Sequence, residues 1–185
     1  MSVEMISVIV ISYNSADTIL QTLESIKKQT YQNLELIISD DCSSDNTIEL
    51  AESWVENNKN RFGSIQVLKN NLNIGIPGNC NRGIKAVSSN LFKLIAADDL
   101  LYPDAISTYK RYYKENRICQ AKVVCFGDLD HNLATIYFCN KSQYYIKKRN
   151  IYKLLLKRNI IVAPAVGLLS KKTIQNYGGF DEQFP

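Results

Sequence analysis

Two acidic pairs are the residues best suited to chemistry in this chain. Asp40-Asp41 comes just after the apolar run Leu36-Ile37-Ile38, and Asp98-Asp99 follows Leu94-Ile95-Ala96-Ala97. Adjacent carboxylates repel each other and are costly unless something cationic neutralises them. A divalent metal carrying a nucleotide diphosphate is a natural neutraliser, because it also spreads the charge of a phosphate leaving group. A third element, Ser12-Tyr13-Asn14, ends the first apolar run. A tyrosine there can lay its ring on a nucleotide base, an interaction worth about 1–3 kcal/mol on aromatic platforms. The plainer alternatives are a turn at Asp40–Ser44, a helix cap at Asp99 and a tyrosine lid over the core.

Residue counts narrow the chemistry. The single histidine, His131, excludes a His-Glu-x-x-His zinc site. Any Ser-His-Asp or Cys-His mechanism would have to run through that one residue. A metal held by this chain is therefore held mostly by carboxylates, which suit Mg²⁺ or Mn²⁺. The five cysteines (Cys42, Cys80, Cys119, Cys125 and Cys139) are scattered without a Cys-x-x-Cys, as expected for thiols of a reducing cytosol. The 185 residues are 45% hydrophobic and 22% charged, an ordinary globular composition for one domain. No apolar run approaches the ~20 residues of a membrane span, and no basic n-region of a signal peptide opens the chain.

Charge is unevenly spread. Residues 1–130 carry 13 basic and 16 acidic side chains, whereas residues 131–180 carry 9 basic and none acidic. The basic stretch lacks a nucleic-acid-binding motif, so no nucleic-acid partner is expected. An acidic ligand or an anionic membrane surface fits better, beside the plain alternative of a solvated basic face. Lys147, Lys148, Arg149, Lys153, Lys157 and Arg158 flank Tyr152 and Leu154–Leu156. A basic amphipathic helix there would rest on anionic lipid.

These residues must be positioned by the elements around them. Residues 7–12 are a continuous, mostly β-branched run, as in a strand buried on both faces. Ser15 or Asp17 can cap a helix carrying Ile19, Leu20, Leu23 and Ile26. Strands are predicted at 34–38, 65–68 and 91–96, with a helix capped by Asp45 and another near 77–88. Alternating strands and helices indicate a parallel sheet covered on both faces, whose carboxyl edge is where ligands bind. Beyond residue 100 the pattern predicts a helix from Pro103 to about 116, strands at 123–126 and 134–138, and a short helix over 150–158. An apolar run at 160–169 is bent or edge-placed by Pro164.

Taken in order, these stretches resemble glycosyltransferase family 2, inverting enzymes of the GT-A fold. The resemblance rests on Ser7-Val8-Ile9-Val10-Ile11-Ser12-Tyr13-Asn14 and on Leu36-Ile37-Ile38-Ser39-Asp40-Asp41-Cys42-Ser43-Ser44-Asp45. It continues through Asn73–Gly83 and Ala97-Asp98-Asp99-Leu100-Leu101-Tyr102-Pro103-Asp104, and ends in Tyr177-Gly178-Gly179-Phe180-Asp181-Glu182. It implies an α/β fold, a Rossmann-like, mainly parallel sheet with helices on both faces, in one domain over 1–185. Residues 1–104 would be the nucleotide-binding half and 105–185 the start of the acceptor-binding half.

The resemblance also implies roles. Tyr13 matches the residue packing on the nucleotide base and Asp41 the one hydrogen-bonding it. Asp98 falls near the ribose and Asp99 on a divalent metal, Mn²⁺ or Mg²⁺. Gly178, Gly179 and Asp181 belong to a loop bordering the acceptor. Such enzymes move a sugar from a nucleotide diphosphate donor, here expected to be UDP-linked, to a saccharide or lipid-linked acceptor. Their typical setting is bacterial surface polysaccharide assembly, in the cytoplasm at the inner face of the membrane.

The sequence departs from the family pattern at two positions. Ala96 stands where Asp-x-Asp-Asp would start, and Cys80 where an arginine is common, with Arg82 two residues on. In the family the catalytic base follows the Gly-Gly-Phe-Asp-Glu loop by some tens of residues, so it is expected beyond Pro185. On that reading the chain is truncated, and it binds nucleotide and metal but transfers sugar only at background rate. Two other readings fit parts of the pattern. One is a nucleotide-sugar-binding module without catalysis. The other is a phosphoryl-accepting domain, disfavoured because its acidic pair would follow the first strand.

Overall fold

The computed structural model describes residues 3–115 and 167–183. Ile6–Ser12, built of Ile, Val and Ser and almost wholly buried, forms the central strand β1. It is flanked by β2 (Leu34–Asp40) and β4 (Leu91–Ala96), both parallel to it. β3 (Ser64–Lys69) pairs in parallel with the far side of β2, and the two-residue β5 (Leu169–Ser170) runs antiparallel to β4. The sheet order is β3-β2-β1-β4-β5. The chain thus winds outward from β1 to β3 and then crosses back to β4, placing the topological switch point between β1 and β4.

Alternation along each strand separates two apolar layers. Ile6, Val8 and Val10 of β1, with Leu34, Leu36 and Ile38 of β2, meet Ile19, Leu23 and Ile26 of α1 (Ile19–Lys27). Ala51 and Trp54 of α2 (Thr47–Asn58) and Ile106 and Tyr109 of α4 (Ala105–Tyr112) complete this layer. On the opposite face Ile9, Ile37 and Phe92 pack with Ile84 of α3 (Gly75–Ala86), and Ile174 of α5 (Lys171–Asn176) joins them. Each fully buried Ile, Leu or Phe contributes about 1.5–3 kcal/mol. Helix α3 approaches β1 closely at Gly83, where a Cβ would lie 2.5 Å from Ile9 Cγ2. The layered α/β fold with a mainly parallel sheet is therefore the one the sequence predicts.

Several boundaries move. β2 runs two residues past the apolar pattern, because Ser39 and Asp40 are buried in the ladder rather than in a turn. Neither Ser15 nor Asp17 caps α1 with its side chain. The Ser15 carbonyl instead accepts from the Thr18 and Ile19 N–H groups, so the chain is already turning there. Asn46 is the cap position of α2, although the Asp45 carboxylate one residue earlier accepts from Thr47 N at 3.0 Å. α3 starts at Gly75, whose φ of 77° opens the helix two residues early. α4 is shorter than expected, 105–112, with Asp104 at its cap position and Pro103 in the preceding turn. The strands predicted at 123–126 and 134–138, the helix over 150–158, His131, Cys119, Cys125, Cys139 and Pro164 lie outside the described residues. No helix among the described residues is long and apolar enough to cross a membrane.

Candidate functional site

Register places the site. Ser12 pairs with Asp40, and Ile11 pairs with Ala96 on the other side. The ladder continues one bond further on each side, Asp41 N to Ser12 O at 2.9 Å and Ala97 N to Ile11 O at 3.0 Å. Tyr13, Asp41 and Asp98 therefore leave three adjacent strands at one level of the carboxyl edge. Tyr13 and Asp98-Asp99 flank the switch point, the usual ligand crevice of an open α/β sheet. Tyr13 is 51% exposed, so its ring is free to stack rather than to cover the core.

The loops that carry these residues are held by polar side chains. Asn14, at φ 48°, accepts from Ser44 N at 2.9 Å, and its own N–H donates to Ser43 Oγ at 2.9 Å. Ser15 N donates to Thr47 Oγ1 at 2.7 Å and Ala16 N to Asp45 Oδ2 at 3.0 Å. The β1 and β2 end loops are zipped together by these bonds. The Thr47 hydroxyl, against a smaller effect of burial, holds the Asp45 carboxyl below its ordinary value.

The two acidic pairs are neutralised differently. Asp40 accepts from Ser12 Oγ at 2.9 Å, Ser43 Oγ at 2.5 Å and Ser43 N at 2.8 Å. Asp41 accepts from Asn70 Nδ2 at 2.7 Å and Ile74 N at 2.9 Å. Protein hydrogen-bond donors thus reach both carboxylates of this first pair. Asp40 is a structural anchor, and Asp41 the carboxylate beside the β3–α3 loop.

At the end of β4, Asp98 is exposed and Asp99 half-buried. The Thr22 hydroxyl of α1 lies 2.8 Å from the Ala97 carbonyl and 2.9 Å from the Asp99 carbonyl, and Ser25 Oγ accepts from Leu101 N. Burial first, then the neighbouring Asp98 carboxylate, pushes the Asp99 carboxyl above its ordinary value, while Lys93 pulls it down. Lys93 lies wholly buried in β4, its Nζ 5.7 Å from the Tyr109 ring centroid. Among the described residues no three His, Cys, Asp or Glu side chains gather to hold an ion by themselves. One or two carboxylates completed by waters and substrate phosphates is the common Mg²⁺ arrangement. The donor set of Asp98 and Asp99, with Ala96 contributing nothing, fits an ion that arrives with a diphosphate.

α3 ties the remaining pieces together. Asn79 accepts from Ser39 Oγ at 2.6 Å and donates to the Ser39 carbonyl at 2.8 Å, fixing the helix to the end of β2. Asn81 binds the loop at 178–182, so Gly178, Gly179 and Asp181 are carried to this helix. Cys80 is 3% exposed and burial pushes its thiol up to about 11, so it stays a neutral thiol where the family's arginine would be charged. The Arg82 guanidinium instead donates to Asn70 Oδ1. The sequence assigns no role to Thr22, Ser43, Asn70, Asn79 or Asn81, although Ser43, Asn79 and Asn81 lie within the stretches that carry the family resemblance. Their short polar side chains, within or near those stretches, are the signal that could have found them.

The chain is also similar to known proteins. The family described as Glycosyl transferase family 2 matches residues 7–177. The chain belongs to glycosyltransferase family 2. Among curated members of the family, it is 30% identical over 145 residues to the Escherichia coli UDP-Glc:alpha-D-GlcNAc-diphosphoundecaprenol beta-1,3-glucosyltransferase WfaP, covering 78% of this chain and 48% of that protein. It is 32% identical over 112 residues to the glycosyltransferase GlyG of Streptococcus pneumoniae, covering 60% of this chain and 36% of that protein. The chain thus spans about half the length, or less, of these relatives. Among solved structures, S. aureus TarS 1-349 in complex with UDP superposes with a TM-score of 0.68 at 20% identity, covering 96% of this chain and 50% of that one. The mannosyltransferase PcManGT from Pyrobaculum calidifontis, in complex with GDP-Man and Mn²⁺, gives 0.67 at 19% identity over 96% and 47% of the two chains. These likenesses establish the GT-A fold of the family.

Proposed function

We propose that this chain forms the donor side of a glycosyltransferase that moves a sugar from a nucleotide diphosphate, UDP in the first instance, to a saccharide or lipid-linked acceptor. The observation that carries the reading is the meeting of Tyr13, Asp41 and Asp98-Asp99 at one level of the carboxyl edge, around the switch point, in a family 2 chain. The substrates printed for WfaP and the UDP complex of TarS support it.

In this reading Tyr13 stacks on the base, the Asp41 carboxylate accepts a hydrogen bond from it, and Asp98 binds the ribose. Asp99, helped by Asp98, holds a divalent cation, Mn²⁺ or Mg²⁺, whose chemistry is to disperse the charge of a departing diphosphate. Asp181, with the Gly178-Gly179 turn, borders the acceptor. Attack of the acceptor hydroxyl on the face opposite the leaving group inverts the anomeric centre. A carboxylate takes the hydroxyl proton, a role assigned to none of the residues gathered here. The setting proposed is the cytoplasmic face of the membrane, with the basic residues of 147–158 resting on anionic lipid. Liposome flotation that fails to separate anionic from neutral vesicles would remove that last element.

Calorimetry of UDP with and without Mn²⁺ tests the site. Asp99→Ala is expected to lose the metal dependence while keeping the fold, and Tyr13→Ala to lose about 1–3 kcal/mol of affinity. Equal nucleotide affinity in Asp99→Ala and the parent, with metal present, would refute the assignment.

A further inference from the structure

We infer that Thr22 of α1 is a positioning residue for the Asp98-Asp99 carboxylates, with Ser25 and Gln29 holding the chain that follows them. The inference rests on the metal reading of Asp99 above. Thr22 and Gln29 are both buried, and both reach the segment that leaves β4. A hydroxyl carries one hydrogen to donate. That of Thr22 is shared by the Ala97 carbonyl at 2.8 Å and the Asp99 carbonyl at 2.9 Å. Two carbonyls that would otherwise repel are drawn onto one donor, with Asp98 between them. Asp99 N is bonded back to the Ala96 carbonyl at 3.2 Å, and Ala97 N to the Ile11 carbonyl at 3.0 Å. The turn is thus tied to β1, to itself and to α1.

The grip continues beyond the carboxylates. Ser25 lies three residues along the same face of α1, and its Oγ accepts from Leu101 N at 3.1 Å. Just past the helix, Gln29 Nε2 donates to the Tyr102 carbonyl at 2.7 Å and its Oε1 accepts from Ile106 N at 3.1 Å. Asp104 makes no side-chain cap bond, so Gln29 supplies from another element an acceptor for the first turn of α4. Ile19, Leu23 and Ile26 pack α1 on the sheet, while these polar side chains set where the carboxylates stand. A metal ligand is effective only when held within about 0.5 Å of its productive geometry. Asp41 depends on different partners, Asn70 and Ile74 N. The two halves of the site are therefore held by separate elements, and a change at Thr22 reaches the metal side alone.

The measurement is calorimetry of UDP, with Mn²⁺ and with EDTA in its place, on the parent chain and on Thr22→Val, Thr22→Ser, Ser25→Ala and Ile26→Val. Valine keeps the shape of threonine and removes the hydroxyl. Thr22→Val should bind UDP about tenfold more weakly with Mn²⁺, the lower end of what losing an outer partner of a metal ligand costs. With EDTA it should bind as the parent does. Thr22→Ser restores the hydroxyl and should restore the Mn²⁺ effect. Ser25→Ala should show a smaller loss of the same kind, and stands in for Thr22→Val if melting shows that variant unfolded. Ile26→Val removes a buried methyl group from the same helix, so it should lower the melting temperature and leave both affinities alone. Amide exchange without metal gives a second readout: Asp99 N–H should exchange faster in Thr22→Val while β1 stays protected. Equal losses with Mn²⁺ and EDTA, or an undiminished Mn²⁺ effect in Thr22→Val, would overturn the positioning role. So would a Mn²⁺-specific loss in Ile26→Val as large as that in Thr22→Val. A parent whose UDP affinity ignores Mn²⁺ would overturn the metal reading of Asp99, and this inference with it. A parent that binds no UDP at all would overturn the nucleotide site as a whole.

Discussion

Asn81 and Phe180 bind each other in both directions across 99 residues of sequence. Asn81 Nδ2 donates to the Phe180 carbonyl and Phe180 N donates to Asn81 Oδ1, each at 2.8 Å. The same Nδ2 lies 2.8 Å from Glu182 Oε1. One amide thus satisfies both backbone groups of a residue in an otherwise exposed loop, and fastens that loop to the helix that also grips the end of β2 through Asn79. Asn81→Ala is expected to cost about 1–3 kcal/mol, since it unmakes three bonds at once. Amide exchange should speed up at Phe180 while that of β1 stays protected. Unaltered exchange at Phe180 would show that the loop is held by something else.

The glycine pair in that loop offers a controlled comparison. Gly178 and Gly179 have φ of 83° and 86°, left-handed values that cost an alanine about 1–2 kcal/mol. A Cβ on Gly178 would meet nothing within 4 Å, whereas one on Gly179 would lie 2.7 Å from Asn81 Oδ1. Gly178→Ala should show the strain alone and Gly179→Ala the strain plus the clash. Combining Gly179→Ala with Asn81→Ala should cost less than the sum of the two single changes. Melting temperatures of the four variants check this, and equal effects of the two glycine substitutions would contradict it.

The amino edge of the sheet carries a buried carboxylate with a different task. Glu35, 1% exposed, accepts from Ser7 Oγ at 2.5 Å, Ser64 Oγ at 3.0 Å, Ser88 N at 3.0 Å and Ser88 Oγ at 2.8 Å. Burial alone would raise its carboxyl, but these donors prevail and hold it below the ordinary 4.5. A depressed carboxyl stabilises the fold above its unfolded value, and that contribution is lost as pH falls through the folded value. Glu35→Gln should therefore be less stable than the parent at pH 7 by about 1–3 kcal/mol. The gap should narrow as pH drops below 4.5. Urea unfolding midpoints at several pH values measure it, and a gap independent of pH would exclude the carboxylate as its source.

Legibility in the sequence follows the range of the interaction. β4 is bounded by Leu91 and Ala96 in both pattern and structure, because continuous apolar runs report burial on two faces directly. Tyr13, Asp41 and Asp98 are visible because each lies shortly after the end of such a run, and parallel pairing then brings them to one edge. Ser39 lies beyond the predicted strand and Asp40 opens the candidate turn, yet both are strand. Their polarity is matched by Asn79 for the first and by Ser12 and Ser43 for the second, partners no local window contains. The same reason hides the Asn81–Phe180 clamp and the contact of Arg82 with Asn70. Lys93 is the sharpest case. The strand prediction over 91–96 assigns Lys93 no surroundings, and its side chain is fully buried.

Lys93 also yields the prediction with the most distinctive sign. It sits on the β4 face that carries Leu91 and Ile95, with its ammonium near the Tyr109 ring of α4. Burial pushes the group down from 10.5 to about 8, and the Asp99 carboxylate opposes the fall only in part. In the unfolded chain the lysine keeps its ordinary value. Between about 8 and 10.5 the unfolded chain therefore binds more protons than the folded one, and stability from this group rises with pH. The penalty for a buried charge is fully present below that window and relieved across it, by a total on the order of 3 kcal/mol. Lys93→Met keeps most of the stem and cannot titrate. Its stability relative to the parent should thus be greatest near pH 7 and decline steadily toward pH 10.5. Any constant loss from contacts the ammonium makes would offset the two curves without changing their slopes. Tyrosines and thiols titrate in the same range in both proteins and cancel in the difference. Thermal unfolding from pH 7 to 10.5 gives the comparison, and parallel profiles would mean that Lys93 is neutral, or normally solvated, throughout.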